Sequence, residues 1–189
     1  MRFLKIVLFL FLFQVHDVQL DAYLDYKSPF HPTISKNGMV VSQNLESSKI
    51  GTIILESGGN AVDAAVAVGF SLTTTLPRAG NIGGGGFMLV YIKETKELFS
   101  IDYRSRSSLN SNLEDLFGSK SPAQIQDDDY DLTKYDHKSS AVPGTVYGLL
   151  EAHERFGKLP LKKVLEPVID QAKNGIIVSY DLHNAIGSS

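Results

Sequence analysis

Gly83, Gly84, Gly85 and Gly86 follow one another without interruption, and this run constrains the fold more than any other stretch of the chain. Glycines bring no side chain to a core and lose the most backbone entropy on ordering, so such a run needs something that approaches the backbone closely. It is led in by Pro77-Arg78-Ala79-Gly80-Asn81-Ile82 and followed by the apolar residues Phe87 to Ile92. The polar Lys93-Glu94-Thr95-Lys96-Glu97 comes next, then a run from Leu98 to Tyr103 in which Leu98, Ser100 and Asp102 alternate with Phe99, Ile101 and Tyr103. Two β-rich runs joined by a short polar connection predict a hairpin, with the glycines at its entrance and Arg104 at its exit. Paired strands would bring entrance and exit to one end of the sheet. That end is a candidate half-site, with backbone amides at the glycines and a fixed cation at Arg104.

The rest of the chain frames this hairpin with helices. Met39 to Ser42 is a short β-rich run after the turn pair Asn37-Gly38 and predicts an early strand. Ser42 or Asn44 can cap a helix from about Leu45, with Leu45, Ile50, Ile53 and Ile54 on its apolar side and Gly58-Gly59 as its stop. A second helix starts at Asn60; Ala61, Val62, Ala64, Ala65, Val66, Ala67 and Val68 are apolar on nearly every side, the pattern of a buried helix. Thr73-Thr74-Thr75 and Pro77 close it. Leu109 to His137 is polar and irregular. The turn Ala141 to Gly148 opens a helix that ends near Phe156-Gly157, and Leu161 to Asn174 forms another, with Val164, Leu165, Val168, Ile169 and Ala172 apolar and Gly175 as its stop.

The glycines precede a strand and follow a helix, which is the reverse of a phosphate-binding loop, and no Gly-Lys-Ser/Thr is present. Close backbone packing, amides presented to a carboxylate and a structural bulge remain as readings. Asp63, alone among small apolar residues, is either a carboxylate with perturbed proton affinity or a first-turn group that accepts orphan amide protons; the second reading is preferred. Asp127-Asp128-Asp129 lacks the alternation, glycine and distal Glu of a calcium loop. His16, His31, His137, His153 and His183 have no metal-ligand spacing, so neither a metal nor a cofactor is assigned. Arg104 is open on spacing alone. It is as readily a solvated or salt-bridged surface group as a partner for a substrate carboxylate, although Asp102 two residues earlier shares its strand face and could orient the guanidinium.

Composition narrows the classes further. A net charge of -3 and a pI of about 5.9 give no basis for binding nucleic acid. The absence of cysteine removes a disulfide framework, a thiolate metal site and a cysteine nucleophile. Met1-Arg2-Phe3-Leu4-Lys5 followed by the apolar Ile6 to Phe13 reads as a secretory signal over about residues 1–20, cut near Gln19 to Ala22, because eight apolar residues fall well short of the roughly 18–20 that span a bilayer. Residues 21–36 form an extended lead-in. A periplasmic or secreted protein without a membrane anchor after signal removal is expected.

Taken together, Gly58-Gly59-Asn60-Ala61-Val62-Asp63-Ala64-Ala65-Val66-Ala67, Gly80-Asn81-Ile82-Gly83-Gly84-Gly85-Gly86-Phe87, Asp102-Tyr103-Arg104, Val142-Pro143-Gly144-Thr145-Val146 and Phe156-Gly157-Lys158-Leu159-Pro160-Leu161 through Asn174-Gly175 resemble the γ-glutamyltranspeptidases (glutathione hydrolases). The resemblance runs collinearly from about Asn37 to Ser179. It implies an α/β fold, a partial αββα sandwich of the N-terminal-nucleophile hydrolase type, with residues 37–189 as the N-terminal part of the large subunit. It implies a proenzyme that cuts itself into two subunits, and a threonine at the new N-terminus that attacks the γ-glutamyl amide of glutathione. Water or an acceptor amino acid or peptide would resolve the acyl-enzyme. Carried onto this sequence, the family's Asp-Tyr-Arg makes Arg104 the residue that grips the α-carboxylate of the glutamyl group.

Two departures qualify that expectation. The family usually continues after this arginine with Glu, a variable residue, Ala and Pro, where this chain has Ser105-Arg106-Ser107-Ser108; the change should loosen the loop and place a competing cation at Arg106. The nucleophilic threonine and the glycines of the oxyanion site belong to the small subunit and are expected beyond Ser189, and Thr73-Thr74-Thr75 is no substitute. The chain by itself is therefore expected to be inactive, a half-site without nucleophile or oxyanion hole, with a sheet face left uncovered. The alternative is an exported non-catalytic remnant or amino-acid-binding module that keeps Arg104.

Overall fold

Asn44 begins the ordered helices, its side chain accepting from the backbone N–H of Glu46 and Ser47. The computed structural model describes residues 33–128 and 136–187, and a single compact unit starts at Asn37. The expected signal segment and most of the lead-in lie outside the described residues, as does Asp129 of the acidic triplet. Helix α1 spans Leu45–Glu56 and ends where Gly58 takes a φ of 89° and the Gly59 N–H returns to the Ile54 carbonyl. Its buried face is Ser47, Ile50, Gly51 and Ile54. Leu45 and Ile53, expected on that face, are exposed, because Gly51 rather than a larger residue meets Val40 and Val68 and turns the helix accordingly.

Helix α2 (Ala61–Thr75) is the central element, with Val62, Ala64, Val66, Ala67 and Val68 buried. Ala61 and Ala65 are exposed, so one edge of this helix is open rather than packed on every side. Strand β1 (Phe87–Ile92) pairs antiparallel with β2 (Glu97–Asp102), Phe87 opposite Asp102 and Ile92 opposite Glu97. The pairing continues beyond the strands, since Gly86 and Tyr103 exchange backbone hydrogen bonds of 3.3 and 3.0 Å. Glycine run and Arg104 therefore do share one end of the hairpin. The strand expected over Met39 to Ser42 is absent: this segment is irregular, Val40 packs inward, and with no partner ladder its β-branched residues have nothing to pair with.

A short helix α3 (Leu113–Phe117) and two 3₁₀ turns interrupt the polar segment after the hairpin. Helices α4 (Thr145–Phe156), α5 (Leu161–Asn174) and α6 (Tyr180–Gly187) complete the chain. Leu149 and Ala152 of α4 and Val164 and Val168 of α5 join α1 and α2 in one core with Val90 and Ile101 from the hairpin. Inward residues of the strands alternate with outward ones, as a half-buried sheet requires. The outward face carries Phe87, Leu89, Tyr91 and Leu98, each between 61% and 72% exposed. One helical layer on one face of a sheet, with an apolar second face, is half of an αββα sandwich.

Candidate functional site

The glycines owe their place to close approach rather than to unusual dihedrals, for none of Gly83 to Gly86 has positive φ. A Cβ at Gly85 would lie 2.3 Å from the Ser105 nitrogen and 2.8 Å from the Arg104 carbonyl carbon. One at Gly86 would lie 2.9 Å from the Tyr103 ring. The run thus presses directly on the backbone that carries Arg104. Its other contact is to the start of α4, where the Gly144 and Thr145 N–H groups both donate to the Gly84 carbonyl at 2.8 and 3.1 Å. The N–H groups of Gly83 and Gly85 have no acceptor among the described residues.

Arg104 is exposed, and its guanidinium makes no ion pair or hydrogen bond among the described residues. Its backbone is fixed. Asp102 was expected to orient the guanidinium; instead its Oδ1 accepts from the Arg104 backbone N–H at 3.0 Å, a turn-forming bond that the carboxylate reaches more readily than the end of the long side chain. Two residues on, Arg106 and Val142 exchange backbone hydrogen bonds of 3.2 and 2.7 Å. The Ser105 to Ser108 segment is therefore anchored at Arg106 despite lacking the family's acid and proline. Backbone pairing does not depend on those side chains.

Tyr103 is the residue that sequence reasoning missed. It points inward, half-buried, and burial raises its phenol above the ordinary value near 10. Its backbone carbonyl would touch a Cβ at Gly144 at 2.0 Å, and its Cγ would touch one at Gly148 at the same distance. Only the recurrence of glycine at the start of α4 signals this, and nothing local ties it to Tyr103.

The other candidates resolve into structural roles. Asp63 is fully buried in a capping box with Asn60 and also accepts from the N–H groups of Lys158 and Leu159, at 3.0 to 3.2 Å. His153 Nε2 lies 2.9 Å from the Leu159 carbonyl and 3.6 Å from Asp63 Oδ1. Thr73 donates to the Phe70 carbonyl, and Thr75 bonds to the buried Ser47 hydroxyl, so these threonines serve the helix and its packing. Among the described residues no three of His, Asp or Glu gather as metal ligands. A cavity of about 620 Å³ beside Ala61, Ala64, Met88 and Tyr103 has mainly apolar walls and does not suit an amino-acid carboxylate.

The arrangement supplies an unpaired cation, Arg104, on a fixed backbone beside glycine amides, which can bind a carboxylate, and a second exposed cation, Arg106, also without a side-chain partner among the described residues, stands two positions on. Comparison with known proteins follows the same line. The family model for Gamma-glutamyltranspeptidase matches residues 47–189. The chain is 41% identical over 150 residues to the glutathione hydrolase proenzyme of Escherichia coli K12, covering 79% of this chain and 25% of that protein. It thus spans about a quarter of the length of the curated relatives it matches. The crystal structure of Helicobacter pylori γ-glutamyltranspeptidase superposes with a TM-score of 0.73 at 31% identity, covering 84% of this chain and 44% of that one. The γ-glutamyltranspeptidase of Pseudomonas nitroreducens complexed with L-DON gives 0.70 at 36% identity, covering 82% and 44%. Over residues 47–189, the chain belongs to the γ-glutamyltranspeptidase family.

Proposed function

We propose that this chain supplies the glutamyl-binding part of an exported γ-glutamyltransferase and glutathione hydrolase. In this reading Arg104 holds the α-carboxylate of the γ-glutamyl group. The acyl group passes from glutathione to a threonine on a small subunit, then to water or to an acceptor amino acid or peptide. The single observation that carries the reading is the exposed guanidinium of Arg104, unpaired among the described residues, on a backbone fixed from both sides. A surface arginine kept only for solubility would not need a clamped backbone. A fork that receives a carboxylate in one pose does, because preorganisation removes the ordering cost from binding. The names of the relatives support the substrate, and the word proenzyme supports a second subunit made by cleavage.

In this reading the chain positions substrate and leaves the chemistry to the threonine of the small subunit. The test is Arg104→Lys in the two-subunit protein, with γ-glutamyl-p-nitroanilide as donor. Loss of the planar fork should raise the Michaelis constant roughly 10- to 100-fold, corresponding to the ~1.5–3 kcal/mol of a hydrogen bond to a charged group. An unchanged constant would remove Arg104 from the site. The 189-residue chain alone is expected to release no p-nitroaniline.

A further inference from the structure

We infer that the ring of Tyr103 is a positioning residue for Arg104, acting as a key in a socket of three glycines. The inference rests on the proposed role of Arg104 and adds the device that aims it. Neighbouring residues on extended backbone point to opposite sides, so a side chain locked inward at one position fixes the outward direction at the next. Tyr103 is locked from two segments that are far apart in sequence, the glycine run and the start of α4. A Cβ at Gly86 would lie 2.9 Å from its ring edge, one at Gly148 would lie 2.0 Å from Cγ, and one at Gly144 would lie 2.0 Å from its backbone oxygen. No real Cβ fits at the last two without displacing the tyrosine. Gly86 also holds the tyrosine backbone through two hydrogen bonds. The phenol O–H has no partner among the described residues, so shape rather than hydrogen bonding makes the fit.

That geometry has a consequence a general packing residue would lack. The ring packs on Gly86 and on the start of α4 while its own backbone leads directly into Arg104, so removing the ring should change glutamyl binding chiefly by way of the guanidinium. The experiment is steady-state kinetics of the two-subunit protein with γ-glutamyl-p-nitroanilide as donor, binding being read from the Michaelis constant against kcat, with folding of each variant checked by circular dichroism. Tyr103→Leu should weaken binding roughly tenfold, the scale of a misaimed contact, and Tyr103→Phe should restore it. In an Arg104→Lys background Tyr103→Leu should add little, because the two changes act on one interaction. A merely structural role would instead add its full effect in both backgrounds. If Tyr103→Leu does not fold, Gly86→Ala decides, since it keeps the ring and shifts it by a few tenths of an ångström. Unchanged binding in a folded Tyr103→Leu or Gly86→Ala variant, with Arg104→Lys still weakened, overturns the positioning role alone. A Michaelis constant indifferent to Arg104→Lys overturns the role of Arg104 and this inference with it.

Discussion

At the scale of single residues, Tyr103 makes the structure sensitive to alkali. Its phenol is raised by burial, so the folded chain holds the proton more tightly than the unfolded chain does. Stability from this group is complete below the unfolded value near 10 and is lost as pH climbs through the higher folded value. Denaturant midpoints measured from pH 9 upward should therefore fall more steeply for the parent chain than for Tyr103→Phe, which has no proton to lose. Equal slopes would mean the ring is solvated. None of this was legible beforehand. Arg104 could be singled out because a strand, an acid two residues back and a glycine run all lie close to it in sequence. Tyr103 could not, because Gly144 and Gly148 reach it only after the chain has folded back.

Helix α2 and the junction of α4 with α5 show the same division one level up. The capping box of Asn60 and Asp63 is local and could be anticipated from helix-start chemistry. The further bonds from Asp63 to Lys158 and Leu159, and from the Asn60 side chain to the Phe156 carbonyl, span more than ninety residues and could not. These bonds tie α2 to the loop that ends α4, and the opposite end of α4 meets the glycine run. Asp63→Ala would leave the part-buried N–H groups of Asn60, Lys158 and Leu159 without their acceptor. A cost of about 3 kcal/mol or more is expected, with Asp63→Asn intermediate because it keeps one acceptor oxygen. Urea unfolding measures both; a loss under about 1 kcal/mol for the alanine variant would mean the tie is dispensable. Helix ends at Gly58 and Gly175 and the existence of the hairpin were readable because turn glycines and period-two alternation act locally. The expected strand at Met39 to Ser42 failed for the converse reason: β propensity needs a partner, and none adjoins it.

For the molecule as a whole, the decisive feature is the outer face of the hairpin. Phe87, Leu89, Tyr91 and Leu98 stand together on it, and a patch of this kind on an isolated chain favours association. The two-stranded sheet adds open edges that can pair with another copy. A sandwich explains the face economically: one layer of helices covers the inner side, and a second sheet would cover the outer. The chain in isolation should then bind a hydrophobic dye and associate with rising concentration. Leu89→Ser with Leu98→Ser should reduce both effects. Because these side chains are already in water in the folded chain, the same pair should change unfolding free energy by no more than about 0.5 kcal/mol each. Core variants behave oppositely; Val66→Ala, at a fully buried position, should destabilise by about 1–3 kcal/mol without lowering dye binding. If the double serine variant instead unfolds readily and keeps its dye binding, those leucines are packed in solution and the open half of the sandwich is not the state the chain adopts.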